Sequence, residues 1–197
     1  MKINSITLIR HGETEWSRTG QHTGLSDIPL TKQGINEARA IGHRLNGVSF
    51  NHIWTSPSKR ARDTAQLAGF KAEISHYLKE WDYGDYEGKT SQEIWKANPG
   101  WTIFSQNPPN GETAEEVGKR ADHFWKMVLA LEGDVAFVSS GHISRVLLAR
   151  FLGFPVDYGR YFSLSTASLS LLTFEHNQPV VKLWNDVSHY QRGWFIK

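Results

Sequence analysis

Three short apolar runs that each break off into a polar cluster constrain this chain more than any other feature. Ile6 to Ile9 stops at Arg10-His11-Gly12, Phe50 to Thr55 stops at Ser56-Pro57, and Asp134 to Ser139 stops at Ser140-Gly141-His142. Runs of this length, rich in β-branched residues, read as buried strands. Helical patterns separate them. Thr31 is placed to cap a helix whose apolar face is Ile35, Ala38, Ile41 and Leu45. Ser56 reads as an N-cap with Pro57 at the first helical position, opening a helix through Arg60, Arg62, Thr64 and Leu67 that Gly69 ends. Thr90 with Glu93, and Thr113 with Glu116, have capping-box spacing. The second box opens a helix with Val117, Ala121, Phe124, Val128 and Leu131 on one stripe. A further apolar helix runs from His142 to near Gly153. Ser168 to Phe174 and Val180 to Trp184 read as a hairpin joined by Asn177-Gln178-Pro179.

Strands alternating with helices favour an α/β three-layer sandwich, a mostly parallel central sheet with helices on both faces. With no repeat, linker or low-complexity tract in 197 residues, one domain spanning 1–197 is expected. The segment from Trp81 to Asn110 reads either as a lid or as an irregular surface connection. The eight tryptophans read as packing residues rather than sugar platforms.

Composition narrows the function. A net charge of +2 gives no bulk field for nucleic acid or an anionic membrane, so neither is expected as a partner. The absence of cysteine removes thiolate nucleophiles and disulfides. The N-terminus lacks the apolar stretch of a signal peptide, and no run is long enough to span a bilayer, so a cytoplasmic location is expected. Neither His-x-His nor His-Glu-x-x-His occurs among the nine histidines, which argues against a metal site.

In open α/β sheets, ligands bind beyond the carboxyl ends of strands. Arg and His arriving there from separate strands suit a phosphate monoester. Guanidinium forks bind its oxygens, and a neutral imidazole can attack its phosphorus. Gly12 is expected to let the backbone approach the anion.

These residues carry a resemblance. Leu8-Ile9-Arg10-His11-Gly12-Glu13-Thr14-Glu15-Trp16 is similar to the opening motif of the histidine phosphatase superfamily, which includes the cofactor-dependent phosphoglycerate mutases. The similarity continues through Thr23-Gly24, Pro29-Leu30-Thr31 with Gly34, Ser56 to Ala61 with Thr64-Ala65, Glu80 with Tyr83-Gly84, Glu87-Gly88 and Gly111-Glu112-Thr113. It implies that His11 is the phosphorylated nucleophile. Arg10 and Arg60 would clamp the phosphoryl oxygens, Glu80 would donate the proton to the leaving oxygen, and His142 would be a second imidazole donating to the transferring group. Gly12, Ser17, Thr23, Gly24, Ser140 and Gly141 would line the substrate. No metal or organic cofactor is implied. Ser17 stands where the family usually has Asn, and Ser140 stands where it commonly has the second His, with His142 two residues on. Asp82 competes with Glu80 for the acid role, and Arg62 reads as structural because it faces elsewhere on its helix.

The stretch from Glu80 to Gly88 is similar to the branch of sedoheptulose bisphosphatases and broad-specificity acid phosphatases. The expected function is hydrolysis of small phosphorylated metabolites, with sugar phosphates the leading class. Mutase-type transfer and a non-catalytic phosphate-binding module are the alternatives. A homodimer is weakly suggested by the tryptophan-rich loops and the C-terminal hairpin. Activity should need His11 neutral and Glu80 protonated, giving a bell-shaped pH profile on the acidic side of neutral.

Overall fold

The computed structural model describes residues 2–190, so Trp194 and the ends of the expected domain lie outside the described residues. A six-stranded sheet forms the centre, in the order β3-β2-β4-β1-β5-β6. Its strands are β1 (Ile3–Arg10), β2 (His52–Thr55), β3 (Glu73–Ile74), β4 (Gly133–Ser139), β5 (Leu169–Glu175) and β6 (Gln178–Asp186). β1, β2, β3 and β4 run parallel, and β5 and β6 close one edge as an antiparallel hairpin.

The two-residue period of β1 sorts its side chains into two cores. Ile6 and Leu8 enter one cluster with Phe137, Phe124 and Leu147, under α5 (Ala114–Val128) and α6 (Gly141–Phe151). Ile9 enters the other with Val138, Ile41, Ala61 and Ala65, under α2 (Lys32–Arg44) and α3 (Lys59–Leu67). A sheet buried on both faces needs continuous apolar strands, which is why the runs showed little alternation. The expected sandwich is therefore the observed one.

Register puts the three polar clusters on one level. Thr55 lies opposite Val138, Ile9 opposite Val138 from the other side, and Arg10 opposite Ser139. The ladder runs one residue further at each strand end, with His11 N–H donating to Ser139 O at 2.9 Å and Ser56 N–H to Val138 O at 2.9 Å. From β1 the chain crosses to β2 beyond β4, and from β4 it crosses to β5 beyond β1. The carboxyl ends of β1 and β4 thus form the topological switch point, where a crevice opens.

Local expectations fared unevenly. Both capping boxes form, Thr90 opening α4 (Ser91–Trp95) and Thr113 opening α5. Thr31 caps α2 through Gly34 N–H. The cap of α3 is Ser58, not Ser56, because Ser56 still belongs to the strand ladder. Pro57 therefore precedes the helix instead of opening it. The hairpin turns at His176-Asn177, with φ of 50° and 63°, as a two-residue turn matching strand twist requires. Pro179 pairs with Phe174 inside β6, an edge strand where a missing donor is tolerated.

The Trp81–Asn110 segment is a packed cap and not a surface connection. Trp81, Tyr83, Ile94, Trp101, Ile103 and Phe104 are buried in the β1/α5/α6 core. The indoles of Trp81, Trp95 and Trp101 donate to Glu112, Trp101 and Gln106 carbonyls. Two glycines are obligatory in the strand-end loop. A Cβ on Gly12 would lie 2.4 Å from Gly34 O, and one on Gly34 would lie 2.1 Å from Glu13 O. Gly34→Ala is expected to destabilise the protein by about 1–3 kcal/mol, read as a lower urea midpoint with unchanged slope. A midpoint equal to wild type would show that this backbone contact relaxes freely.

Candidate active site

A cavity of about 560 Å³ opens over the ends of β1 and β4. Arg10, His11, Ser17, Thr23, Glu80, Gly141 and His142 line it, so seven of the eleven expected site residues meet in one place. Arg60, Gly12, Gly24 and Ser140 sit directly behind this surface.

His11 leaves the end of β1 nearly buried, at 4% exposure. Its Nδ1 lies 2.8 Å from Gly12 O. A carbonyl only accepts, so Nδ1 carries the proton and the Nε2 lone pair is free. Burial, then Arg60, then Arg10 hold the imidazole well below its usual titration range, against the opposing pull of the Gly12 bond. The ring is therefore neutral and nucleophilic near pH 7.

Arg60 projects from the first turn of α3 and is fully buried. Its guanidinium donates to Ser26 O at 2.8 Å and to Thr23 O and Gly24 O at 3.1 Å, and it meets Ser140 Oγ at 3.4 Å. Arg10 donates to Leu164 O at 2.5 Å, and Gly141 packs on its guanidinium. Among the described residues neither forms an ion pair, and the Nε–H of each is buried without a partner. Burial lowers both pKa values, with Glu80 the main opposing charge. Concentrated guanidinium charge without a carboxylate partner among the described residues is chemically suited to an anion.

Glu80 is held at 5% exposure by three backbone donors. Oε1 accepts from Trp81 N–H at 2.8 Å and Ile143 N–H at 2.7 Å, and Oε2 accepts from His142 N–H at 2.9 Å. The carboxylate thus caps the N-terminus of α6, where negative charge is favoured. Three of its four lone-pair positions are occupied, leaving one on Oε2. Arg120 fixes the approach to Glu80, donating to the carbonyls of Tyr77 and Lys79 while its fork holds Glu112 at 2.6–2.8 Å. Asp82 instead accepts from Gly84 N–H in a turn.

Some expected residues serve differently. Gly12 N–H donates to Thr64 Oγ1 of α3 at 3.0 Å and Gly24 N–H to the Glu87 carboxylate, so both tie their loops to other parts of the chain. A close approach at Gly12 is made by the Gly34 backbone. Ser17 faces the cavity, but its hydroxyl completes the capping box with Thr14 on α1 (Glu15–Thr19). Arg62 is exposed on α3. His142, on the first turn of α6, meets Tyr83 OH at 2.5 Å through Nδ1. Burial first, then Arg145, His22 and Arg10, lower its pKa well below the usual imidazole range.

Among the wall residues that escaped the sequence reading, three surround His142. His22 stacks beside His142 with ring centres 6.0 Å apart. Phe104 lies edge-on to His142. Arg145 stands over the Phe104 ring at 4.6 Å, pinned by the carbonyls of Gly159 and Arg160. Arg145 follows His142 by one helical turn, a signal that spacing offered. No tryptophan lines the cavity among the described residues, which fits the packing role.

Comparison with known proteins places this geometry. The chain is 40% identical over 183 residues, 89% of each protein, to an acid phosphatase of Mycobacterium tuberculosis. It is 33% identical over 185 residues to sedoheptulose 1,7-bisphosphatase of Saccharomyces cerevisiae, covering 76% of this chain and 68% of that one. A solved structure of an open reading frame product from M. tuberculosis superposes with a TM-score of 0.89 at 36% identity, over 92% of this chain and 97% of that chain. The family model described as histidine phosphatase superfamily (branch 1) matches residues 6–187. A neutral histidine among unpaired arginines, on this fold and in this sequence context, makes the chain a member of branch 1 of the histidine phosphatase superfamily, an enzyme that hydrolyses phosphate monoesters of small molecules.

Proposed function

We propose that the chain hydrolyses small sugar phosphates by way of a phosphoryl group carried on His11. One observation carries this reading: a buried imidazole with a free Nε2 beside two guanidinium groups that have no carboxylate partner among the described residues. In the first step the Nε2 lone pair forms a bond to phosphorus, and the bond to the ester oxygen breaks. Arg10 and Arg60 offset charge on the equatorial oxygens, and a proton taken up with the substrate at the open position on Glu80 Oε2 passes to the leaving oxygen. In the second step water attacks phosphorus, its proton goes to Glu80, and the electron pair of the P–N bond returns to His11. Ser140 adds a hydroxyl beside Arg60 where an imidazole is common in the family.

The far wall supports a polyhydroxylated substrate. Thr102, Ser105, His22 and Arg145 offer polar groups around the apolar face of Phe104. Arg145 also gives a fixed cation, favouring a substrate with a second anionic group. In a panel of phosphorylated metabolites ranked by kcat/KM, sugar phosphates should lead. Arg145→Met should reduce kcat/KM at least about tenfold more for a sugar bisphosphate than for its monophosphate. Equal losses on both would remove the second-anion reading, and a panel led by p-nitrophenyl phosphate would remove the sugar reading. Mutase-type transfer predicts stimulation of phosphoglycerate isomerisation by a bisphosphoglycerate primer, and none is expected.

Acid should weaken the fold. His11 and His142 titrate below their unfolded value of about 6.5, so the unfolded chain binds more protons once pH drops under that value. Their contribution is complete above about pH 6.5 and declines below it. The urea midpoint should fall between about pH 7.5 and 5.5, and His11→Gln should shrink the difference. A midpoint that rises on acidification would contradict the buried neutral state.

A further inference from the structure

We infer that Tyr83 is a positioning residue that fixes His142 as the neutral tautomer with its proton on Nε2, presenting an N–H donor to a substrate oxygen. The chemical role rests on the hydrolytic reading above, while the tautomer itself does not.

The argument is one of hydrogen-bond satisfaction. Tyr83 is only 2% exposed, and among the described residues its hydroxyl touches one partner, His142 Nδ1, at 2.5 Å. Two arrangements are available. If Nδ1–H donated to the phenol oxygen, the phenol O–H would be left with no protein acceptor among the described residues. If the phenol donates, both groups are satisfied, because Nδ1 then offers its lone pair. Burial, joined by the Glu80 charge, keeps the phenol protonated, and burial together with Arg145 and His22 keeps the ring uncharged. Nδ1 being an acceptor, the single ring proton sits on Nε2.

The ring plane is fixed independently. His22 stacks on it with planes 14° apart, and Phe104 and Tyr83 meet it edge-on. The backbone is fixed as well, since His142 N–H is bonded to Glu80 Oε2. His142 lines the cavity, and its Nε2 has no protein partner among the described residues. The group offered to substrate is therefore a neutral donor that can neither accept a proton readily nor act as a base. The positive charge facing the phosphoryl group is left to the arginines. In this assignment Tyr83 acts through His142, to which its hydroxyl is bonded.

Nitrogen-15 NMR of the histidine rings in the full-length protein tests this without any substrate. In wild type at neutral pH, His142 should show a protonated Nε2 and an unprotonated Nδ1. In Tyr83→Phe, which keeps the ring and its packing, both tautomers should appear and the ring should titrate differently. An Nδ1–H tautomer or an imidazolium in wild type would overturn the inference, as would an unaltered tautomer in Tyr83→Phe. Kinetics supply the second arm. Tyr83→Phe should lower kcat roughly 3- to 10-fold on p-nitrophenyl phosphate but cause no further loss when added to His142→Ala. His142→Gln, whose amide N–H can donate without needing Tyr83, should recover part of the loss of His142→Ala. Equal losses from Tyr83→Phe in both backgrounds would assign Tyr83 a purely structural role. If the wild-type enzyme releases no phosphate from any monoester, the hydrolytic reading fails while the tautomer result stands on its own spectra.

Discussion

Replacing His11 with alanine is expected to lower kcat on every phosphate monoester by at least about 10⁴-fold. The expectation follows from what remains. Arg10, Arg60 and Glu80 would still bind a phosphate ester, so KM should change far less than kcat. Of the other candidates, His142 has its Nδ1 lone pair taken by Tyr83, Ser140 lies buried against Arg60, and His22, whose Nδ1 meets Lys89 O, packs against Tyr83, Trp101 and His142. Steady-state kinetics with p-nitrophenyl phosphate at enzyme concentrations high enough to detect the residual rate are the check. A loss below about tenfold would mean that the phosphoryl group is received elsewhere. The variant should fold, because the His11 ring makes one hydrogen bond and that bond is to the adjacent residue.

Arg60→Lys should lower kcat by about 10²–10³-fold and also cost at least about 2 kcal/mol of stability. Both effects come from one geometry. The guanidinium gathers the carbonyls of Thr23, Gly24 and Ser26 and leaves its buried Nε–H without a partner. An ammonium at the end of a flexible stem cannot satisfy three carbonyls and a phosphoryl oxygen from one fixed plane. Thr23 and Gly24 would then lose their anchor, and the loop carrying His22 would loosen with them. Urea denaturation and initial rates measured on the same sample separate the two effects. A variant as stable as wild type and nearly as active would show that charge alone, without the fork, serves at this position.

Much of this was legible in the residues because the strand ends carry both signals. β-branched runs marked the buried strands, and the break into Arg10-His11, Ser56 and Ser140-Gly141-His142 marked where they stop. Two-residue register then brought those ends level, so one-dimensional order became a site. Helix caps at Thr31, Thr90 and Thr113 were readable because capping is local in sequence. The cap of α3 was misplaced by two residues because Ser56 and Ser58 are chemically alike, and only the strand ladder tells them apart.

The cavity wall was not legible for the opposite reason. Glu80 is seated by N–H groups 62 and 63 residues away, a relation no local pattern contains. His22 and Phe104 come from loops without periodicity, and they reach the site because Trp81, Tyr83 and Trp101 bury the cap beneath them. Gly12 and Gly24 stand out in the sequence as substrate-lining positions, and the fold gives them further duties. Their N–H groups bond Thr64 and Glu87, and a Cβ on either would strike neighbouring backbone.

The measurement closest to the central claim is to trap the phosphorylated enzyme. Wild type mixed with a rapidly cleaved monoester and quenched within one turnover under alkaline conditions, where a phosphoramidate survives, should yield a peptide phosphorylated on His11, in an amount approaching one per active site. The same peptide should be unmodified in His11→Ala. Rapid product release with phosphate on no residue, or on a residue other than His11, would contradict the account.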